Sequence, residues 1–336
     1  MIKTESNRVL QFSNRPVLLS GASIGGKTEG EGPMKNEFDR CYPTDYINCK
    51  TWEQAESALQ HEAVQTALQK AKLDASQIGI LFAGDLLDQC MASAMSAKDF
   101  NIPMAGLYGA CSTFALGLAL AAVFTDCNAV KNAIAVASSH FCSAEKQFRF
   151  PLEYGNQRTP TTQRTATAAG AVVVGHANSG CCIESAMVGT IRDLGITDAA
   201  NMGAAMAPAA ADTVEKFLFS TKTQPRDYDC ILTGDLGAVG SQLLCQLLFH
   251  RGLDISAVHE DCGNLLFDSQ KQDVHAGASG CGCSASLVST MFRRKIENKE
   301  LQKVLFVGTG ALMSPLSVRQ GESIPGIAHA VLLSNK

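Results

Sequence analysis

Basic residues never gather into a run in this 336-residue sequence: 28 Lys and Arg face 32 acidic residues, for a formal charge of −4. That excludes a nucleic-acid groove, which needs a clustered basic face. Long hydrophobic runs are also missing. The most apolar stretch, residues 115–124, is about half of the roughly 20 residues a bilayer span requires, so no membrane-crossing helix is expected. The N-terminal MIKTESNRVLQFSN lacks the apolar core of a secretory signal, which implies synthesis and retention in the cytoplasm. Cysteine is plentiful at 13, but CxxC pairs are absent, and His259 with Cys262 has no second ligand pair at zinc spacing. Buried, reduced thiols within apolar runs such as residues 229–232 account for most of the cysteines. An apolar fraction of 46% against 18% charged excludes disorder, and the length suits two domain-sized cores or one large α/β body.

What is present is a repeat. Gly84-Asp85-Leu86, after an apolar run, recurs as Gly234-Asp235-Leu236 after another. Downstream in each half a small-residue turn ends in Cys-Ser, at residues 109–112 and again at 280–284. A helix-length segment follows each turn (113–124 and 285–295), then a β-rich run (133–137 and 303–307), then a last strand (171–174 and 330–333). Four matched elements in one order argue for two copies of a single supersecondary unit. The first copy is longer, through an insertion within residues 141–164. An amphipathic helix precedes the first Gly-Asp-Leu strand, opened by a capping box of Thr51 with Gln54. Short, continuously apolar strands belong to sheets covered by helices on both faces.

Cys111 ends a Gly-Ala turn and begins a helix, where backbone N–H groups and the helix dipole favour thiolate. It reads as a nucleophile or an anion-facing pocket residue, or else as a small side chain buried at a crowded turn. A nucleophilic Cys needs a base, and His140 and His329 stand at strand ends, where open α/β sheets place ligands. A hydrogen-bonded structural role is the alternative for each. Asp85 and Asp235 hold equivalent strand-end turns, where each orients a ligand, binds a cation or caps the next segment. The insertion sets Lys146, Arg149 and Arg158 beside Phe148, Phe150 and Tyr154, a mixture that suits a flat anionic ligand or, in preference, a subunit interface.

With Cys111 at a helix start in a two-half repeat, the sequence resembles the thiolase and ketoacyl-synthase superfamily, whose nucleophilic Cys sits at the corresponding turn. Over almost its whole length it resembles the stage V sporulation protein AD family of spore-forming bacteria. The resemblance is carried by AGDLLDQ (83–89), GACST (109–113), SSH (138–140), EKQFRFPLEYG (145–155), DLGITDAANMGAAMAPAAADT (193–213), LTGDLGAVGS (232–241) and GTGALMSP (308–315). It implies an α/β, thiolase-like duplicated αβαβα layered fold of two similar halves with pseudo-two-fold symmetry, residues 1–180 and 181–336. It also implies a non-catalytic, cofactor-free protein that binds dipicolinic acid (pyridine-2,6-dicarboxylic acid), free or as its calcium chelate. Such a protein acts with the integral membrane proteins of the same sporulation operon to move that compound into the developing spore, and out again at germination. A homodimer, held peripherally at the spore inner membrane by protein partners, completes the expectation.

Condensing enzymes of the ketoacyl-synthase III type carry a His and an Asn in loops that here align with Gly234 and Gly280, a register one residue away being the alternative. Losing one oxyanion donor typically costs about 10²–10³ in rate, so a site without both is expected to bind rather than turn over. For dipicolinate, flat and dianionic, the resemblance points to the helix start at Cys111 and Ser112, with His140 and His329 as donors and Lys27 or Arg149 as cations. Asp85 or Asp235 completes the oxygen shell if calcium accompanies the ligand. Two other readings stand beside this one. The first is an acyl-transferring enzyme with Cys111 as nucleophile and His329 as base, and the second is a scaffold docked on a membrane complex.

Overall fold

The computed structural model describes residues 3–5, 8–148 and 158–336. Ten strands form the main path of its sheet, five from each half. The first half supplies β1 (Val17–Gly25), β2 (Ile80–Gly84), β3 (Met104–Gly106), β4 (Ala133–Ser139) and β5 (Ala168–Gly175). The second supplies β6 (Cys181–Met187), β7 (Cys230–Thr233), β8 (His259–Asp261), β9 (Lys303–Ala311) and β10 (Gly326–Asn335). The helices used below are α1 (Trp52–Ala71), α2 (Met91–Ala97), α3 (Thr113–Asp126), α4 (Phe141–Phe148), α5 (Met202–Thr221), α6 (Gly237–Phe249) and α7 (Cys281–Leu287).

Outward from the centre, the strand orders are β1-β5-β4-β2-β3 and β6-β10-β9-β7-β8, the same order twice. Within each half β2 or β7 is parallel to both its neighbours, whereas β5 and β10 run antiparallel to theirs. Among the described residues a single pair, Cys182 with Val17, joins β6 to β1. The two Gly-Asp-Leu sequences close β2 and β7, the positions the repeat assigned to them.

Alternation along the strands sorts the apolar side chains into three clusters and so creates the layers. Ala171 and Val173 of β5 pack outward under Leu59, Ala63 and Val64 of α1. Val172 and Val174 of the same strand join Leu118 of α3, Leu287 of α7 and Phe306 of β9 in a central cluster. Leu305 and Val307 of β9 turn the other way, beneath Val214 and Phe217 of α5. The order is therefore helix, sheet, helix pair, sheet, helix. Because α3 and α7 lie between the two halves of the sheet, α3 is apolar nearly all round and every residue of α7 is buried.

Local signals explain the outer helices. Thr51 caps α1 by accepting the Gln54 N–H, and Asn201 caps α5 by accepting that of Ala204. Both helices run 20 residues and stop at a lysine in the left-handed region, Lys72 and Lys222. The expected capping box is only half formed, because the Gln54 side chain accepts from Lys50 rather than from Thr51. The segment after Cys111 becomes α-helical at Thr113, since residues 110–112 form a 3₁₀ turn.

Close approach of α7 to the sheet depends on glycine. A Cβ on Gly170 of β5 would lie 2.2 Å from the Ala285 carbonyl of α7. Backbone cannot give way as a side-chain tip can, so Gly170→Ala is expected to lower stability by about 1–3 kcal/mol. Urea unfolding checks this, and an unchanged midpoint would contradict the packing of α7.

Candidate ligand-binding cavity

A cavity of about 590 Å³ opens where loops of the two halves meet. Its wall combines Leu86, Asp88, Tyr108, Ala110 and Cys111 of the first half with Ala199, Ala200, Met202, residues 311–315, Ser317 and Val318 of the second. Ala144, Glu145 and Phe148 of α4 form one side. Gln163, Thr165 and Ser279 form another, held by a short parallel strand pair that joins Arg164–Thr165 to Ala278–Ser279 across the halves.

Cys111 reaches this wall because Ala110 adopts left-handed φ of 50°. The Ser112 hydroxyl then donates to the Gly109 carbonyl at 2.6 Å, and the Thr113 hydroxyl to that of Ala110 at 2.7 Å. Behind the thiol lies the carboxylate of Asp235. Its oxygens accept the Thr309 hydroxyl at 2.8 Å and the Gly280 N–H at 2.9 Å, and the Cys111 thiol donates toward the same group. Burial pushes the Asp235 carboxyl up to about 7, against the lowering effect of these donors. The Cys281 thiol, which donates to the Ala110 carbonyl at 3.1 Å, is the next neighbour.

These contacts correct the expectation of a thiolate at Cys111 and show what faces it from the second half. The side chains that face Cys111 from the second half are Asp235 and Cys281, each one residue beyond Gly234 and Gly280. The thiol is also not poised as thiolate. Burial first, then the charge of Asp235 and the proximity of Cys281, raise it well above the usual range despite the Gly280 N–H. Burial, reinforced by a carboxylate, thus outweighs the helix start at this turn.

The remaining predicted residues, among those described, do not line the cavity. Ser112 is buried with its hydroxyl committed to Gly109. Asp85 is a cap: it accepts the N–H of Leu87 and both the N–H and the hydroxyl of Ser93. In the second half capping falls to Asp261, which accepts from Leu236 and Gly237 and leaves Asp235 free to face the thiol. His140 has both ring nitrogens engaged, Nδ1 accepting from Cys142 and Nε2 facing the Asp45 carbonyl at 2.7 Å. That pattern makes it a neutral structural histidine, with its pKa lowered by burial. His329 accepts the Gly189 N–H through Nδ1, and burial lowers its pKa to about 4, so it is neutral. Lys27 is exposed on the turn Lys27–Gly30. Arg149 lies outside the described residues.

Sequence reasoning missed most of the wall. Among the described residues no Lys, Arg or His lines the cavity, whereas Asp88 and Glu145 do, and Phe148, Leu312, Met313 and Val318 supply apolar surface. No group of His, Cys, Asp and Glu among the described residues is arranged to hold a metal ion. No described helix is long and apolar enough to cross a membrane.

A five-layer duplicated sheet with a cysteine turn at the meeting of its halves defines the thiolase-like condensing-enzyme fold. The chain aligns with 3-oxoacyl-[acyl-carrier-protein] synthase III from Aquifex aeolicus VF5 at a TM-score of 0.57 and 13% identity, covering 95% of this chain and 99% of that one. It aligns with a point variant of Xanthomonas campestris OleA at 0.58 and 13% identity, covering 96% and 99%, and with the tetronic acid condensing enzyme AbyA1 at 0.58 and 15%, covering 95% and 99%. At such identities the likeness is one of fold. The chain belongs to the stage V sporulation protein AD family, whose model matches residues 6–334. It is 42% identical over 331 residues to Stage V sporulation protein AD of Bacillus subtilis (strain 168), covering 98% of both chains. Its role is accordingly in sporulation.

The Asp235 node generates a prediction with two readouts. An acid held protonated in the fold to about 7 but ionising near 3.8 when unfolded makes stability fall as pH rises from about 4 to about 7. Asp235→Asn should therefore flatten the decline in melting temperature across that window. It should also speed iodoacetamide labelling of Cys111 at pH 8, because removing the neighbouring charge lowers the thiol's pKa. Mass spectrometry follows the labelling, and an unchanged rate together with an unchanged pH slope would dissociate Asp235 from the thiol.

Proposed function

We propose that the cavity over Cys111 binds dipicolinic acid, free or as its calcium chelate, without chemical turnover, and that the protein thereby supports movement of this compound into the developing spore. The observation that carries the reading is the pairing of Cys111 with a carboxylate at the base of a largely apolar cavity. A buried, protonated thiol beside Asp235 is a poor nucleophile, and neither neighbour facing it from the second half is the histidine or amide that stabilises an oxyanion in condensing enzymes. This favours binding over the acyl-transfer reading. The apolar surfaces of Phe148 and Leu312 suit a flat ring, and the cavity's volume falls within the range of small-molecule sites, about 300–1,000 Å³.

Isothermal titration tests the proposal. Dipicolinate, with and without calcium, should bind saturably to the wild-type protein and more weakly to Cys111→Ala. Cys111→Trp, which fills the base of the cavity, should abolish binding while circular dichroism shows the fold retained. Full-strength binding by the Trp variant would remove the ligand from this site, and a flat wild-type titration would leave the scaffold reading ahead.

Two associations belong to the same proposal. The protein acts as a homodimer, supported by the position of β3 at the end of the sheet path and by the exposed Met91, Met95, Met104 and Tyr108 around it. It reaches the spore inner membrane peripherally, through the integral membrane proteins of its operon. Light scattering should give twice the chain mass, and those membrane proteins should co-purify from sporulating cells. A monomeric mass or their absence would contradict the respective association.

A further inference from the structure

Beneath α1, a buried acid reaches the helix that walls the cavity. Glu56 and Gln60 stand one turn apart on the inward face of α1 and are fully buried, as are Asp85, Ser93 and Ser138 around them. Hydrogen-bond donors divide unequally between the two carboxyl groups. Asp85 accepts the Leu87 N–H at 2.8 Å, the Ser93 N–H at 2.8 Å and the Ser93 hydroxyl at 2.6 Å. Glu56 meets two hydroxyls, Ser138 at 3.3 Å on Oε1 and Ser143 at 2.7 Å on Oε2, and among the described residues no N–H or cation bonds it. The Ser143 hydroxyl also lies 3.1 Å from the His140 carbonyl, which can only accept. With a proton on Glu56 the chain runs in one direction: Glu56 donates to Ser143, and Ser143 donates to His140. Burial raises the pKa of both acids, and the three donors act against it at Asp85. Glu56, with the charge of Asp85 added to burial, is pushed up to about 8.

Ser143 belongs to α4, the helix whose Ala144, Glu145 and Phe148 line the cavity. Its bond to Glu56 is thus a buried tie between that wall and the body of the first half. The exposed pair of Lys146 with Glu53 joins the same two helices, and surface pairs of this kind contribute little. The other titratable groups nearby carry no charge to offset an ionised Glu56: burial lowers the pKa of His140 and raises that of the Cys281 thiol. An ionised Glu56 would face Asp85 without a counter-charge and would have no proton to give Ser143. We propose that Glu56 is a positioning residue of the cavity: protonated, it docks α4 against α1, and loss of that proton loosens the wall. The proposal takes from the dipicolinate reading above only that this wall holds a ligand.

Hydrogen exchange followed by mass spectrometry tests this in wild type and Glu56→Gln at pH 6 and pH 7.5, with rates corrected for the intrinsic effect of pH. Once α4 opens, Glu56 titrates near its ordinary 4.5, so docking is strongest below that value and weakens as pH rises toward about 8. Protection of residues 141–148 in wild type should therefore fall about tenfold per pH unit. The amide variant keeps a donor for Ser143 and an acceptor for Ser138 without a titrating proton. Its protection should hold constant and exceed that of wild type at pH 7.5. The same slope in both proteins overturns the role of Glu56. Should the variant fail to fold, wild type decides alone, and protection independent of pH overturns the proposal. Dipicolinate added at pH 7.5 separates the two readings, since a ligand held by the docked wall raises the protection of residues 141–148. A wild-type slope removed by the substitution, with no response to dipicolinate, upholds Glu56 and counts against the ligand.

Discussion

One buried carboxylate ties the two halves of this molecule together at the point where its cavity begins. Asp235 takes the Gly280 N–H at the start of α7 and the Thr309 hydroxyl of β9, and it faces the thiol at the start of α3. Its own carbonyl takes the amide of Gln163 from the first half. Three strand-end loops and two central helices thus converge on a single buried residue. Four donors around one carboxyl and its carbonyl meet most of the demand that burial creates, and what is left unmet appears as the raised pKa. Burial first, and then the charge of the same residue, raise the pKa of the Cys111 thiol well above its usual range.

The duplicated frame explains why that convergence exists. Each half ends a parallel strand in Gly-Asp-Leu, and in the first half the aspartate does the ordinary thing by capping the chain that follows. In the second half Asp261 has taken over the capping, and Asp235 is released toward the neighbouring half. Two aspartates at equivalent positions thereby do different work. The asymmetry of the loops continues it, since α4 of the first half walls the cavity on one side and the turn Pro315–Arg319 of the second half closes the other.

Much of the fold was legible in the sequence because it rests on local signals: the repeated Gly-Asp-Leu, the continuous apolar strands, the Thr51 cap and the apolar character of residues 113–124. The site was far less so. Cys111 could be located from its turn, but the upward shift of its pKa comes from burial by the folded halves, reinforced by a residue 124 positions away in the chain, Asp235. His140 reads as a candidate ligand at a strand end until the Asp45 carbonyl, distant in sequence, occupies its ring. Charge misled in the same way: Lys27 is basic and near a strand end, yet it faces outward, whereas the wall is built from residues such as Gln163 and Leu312 that carry no motif. Those residues are selected by where loops from both halves meet, and spacing along one chain does not encode that meeting.

The central claim is the proposal that the cavity over Cys111 holds a small aromatic dicarboxylate without chemistry. A crystal structure of the protein grown with dipicolinate and calcium tests it most directly. The account predicts intact ligand in the cavity between the Cys111 turn and residues 311–318, with no bond to the Cys111 sulfur. Ligand density elsewhere on the protein, or an acyl group on Cys111, would contradict it.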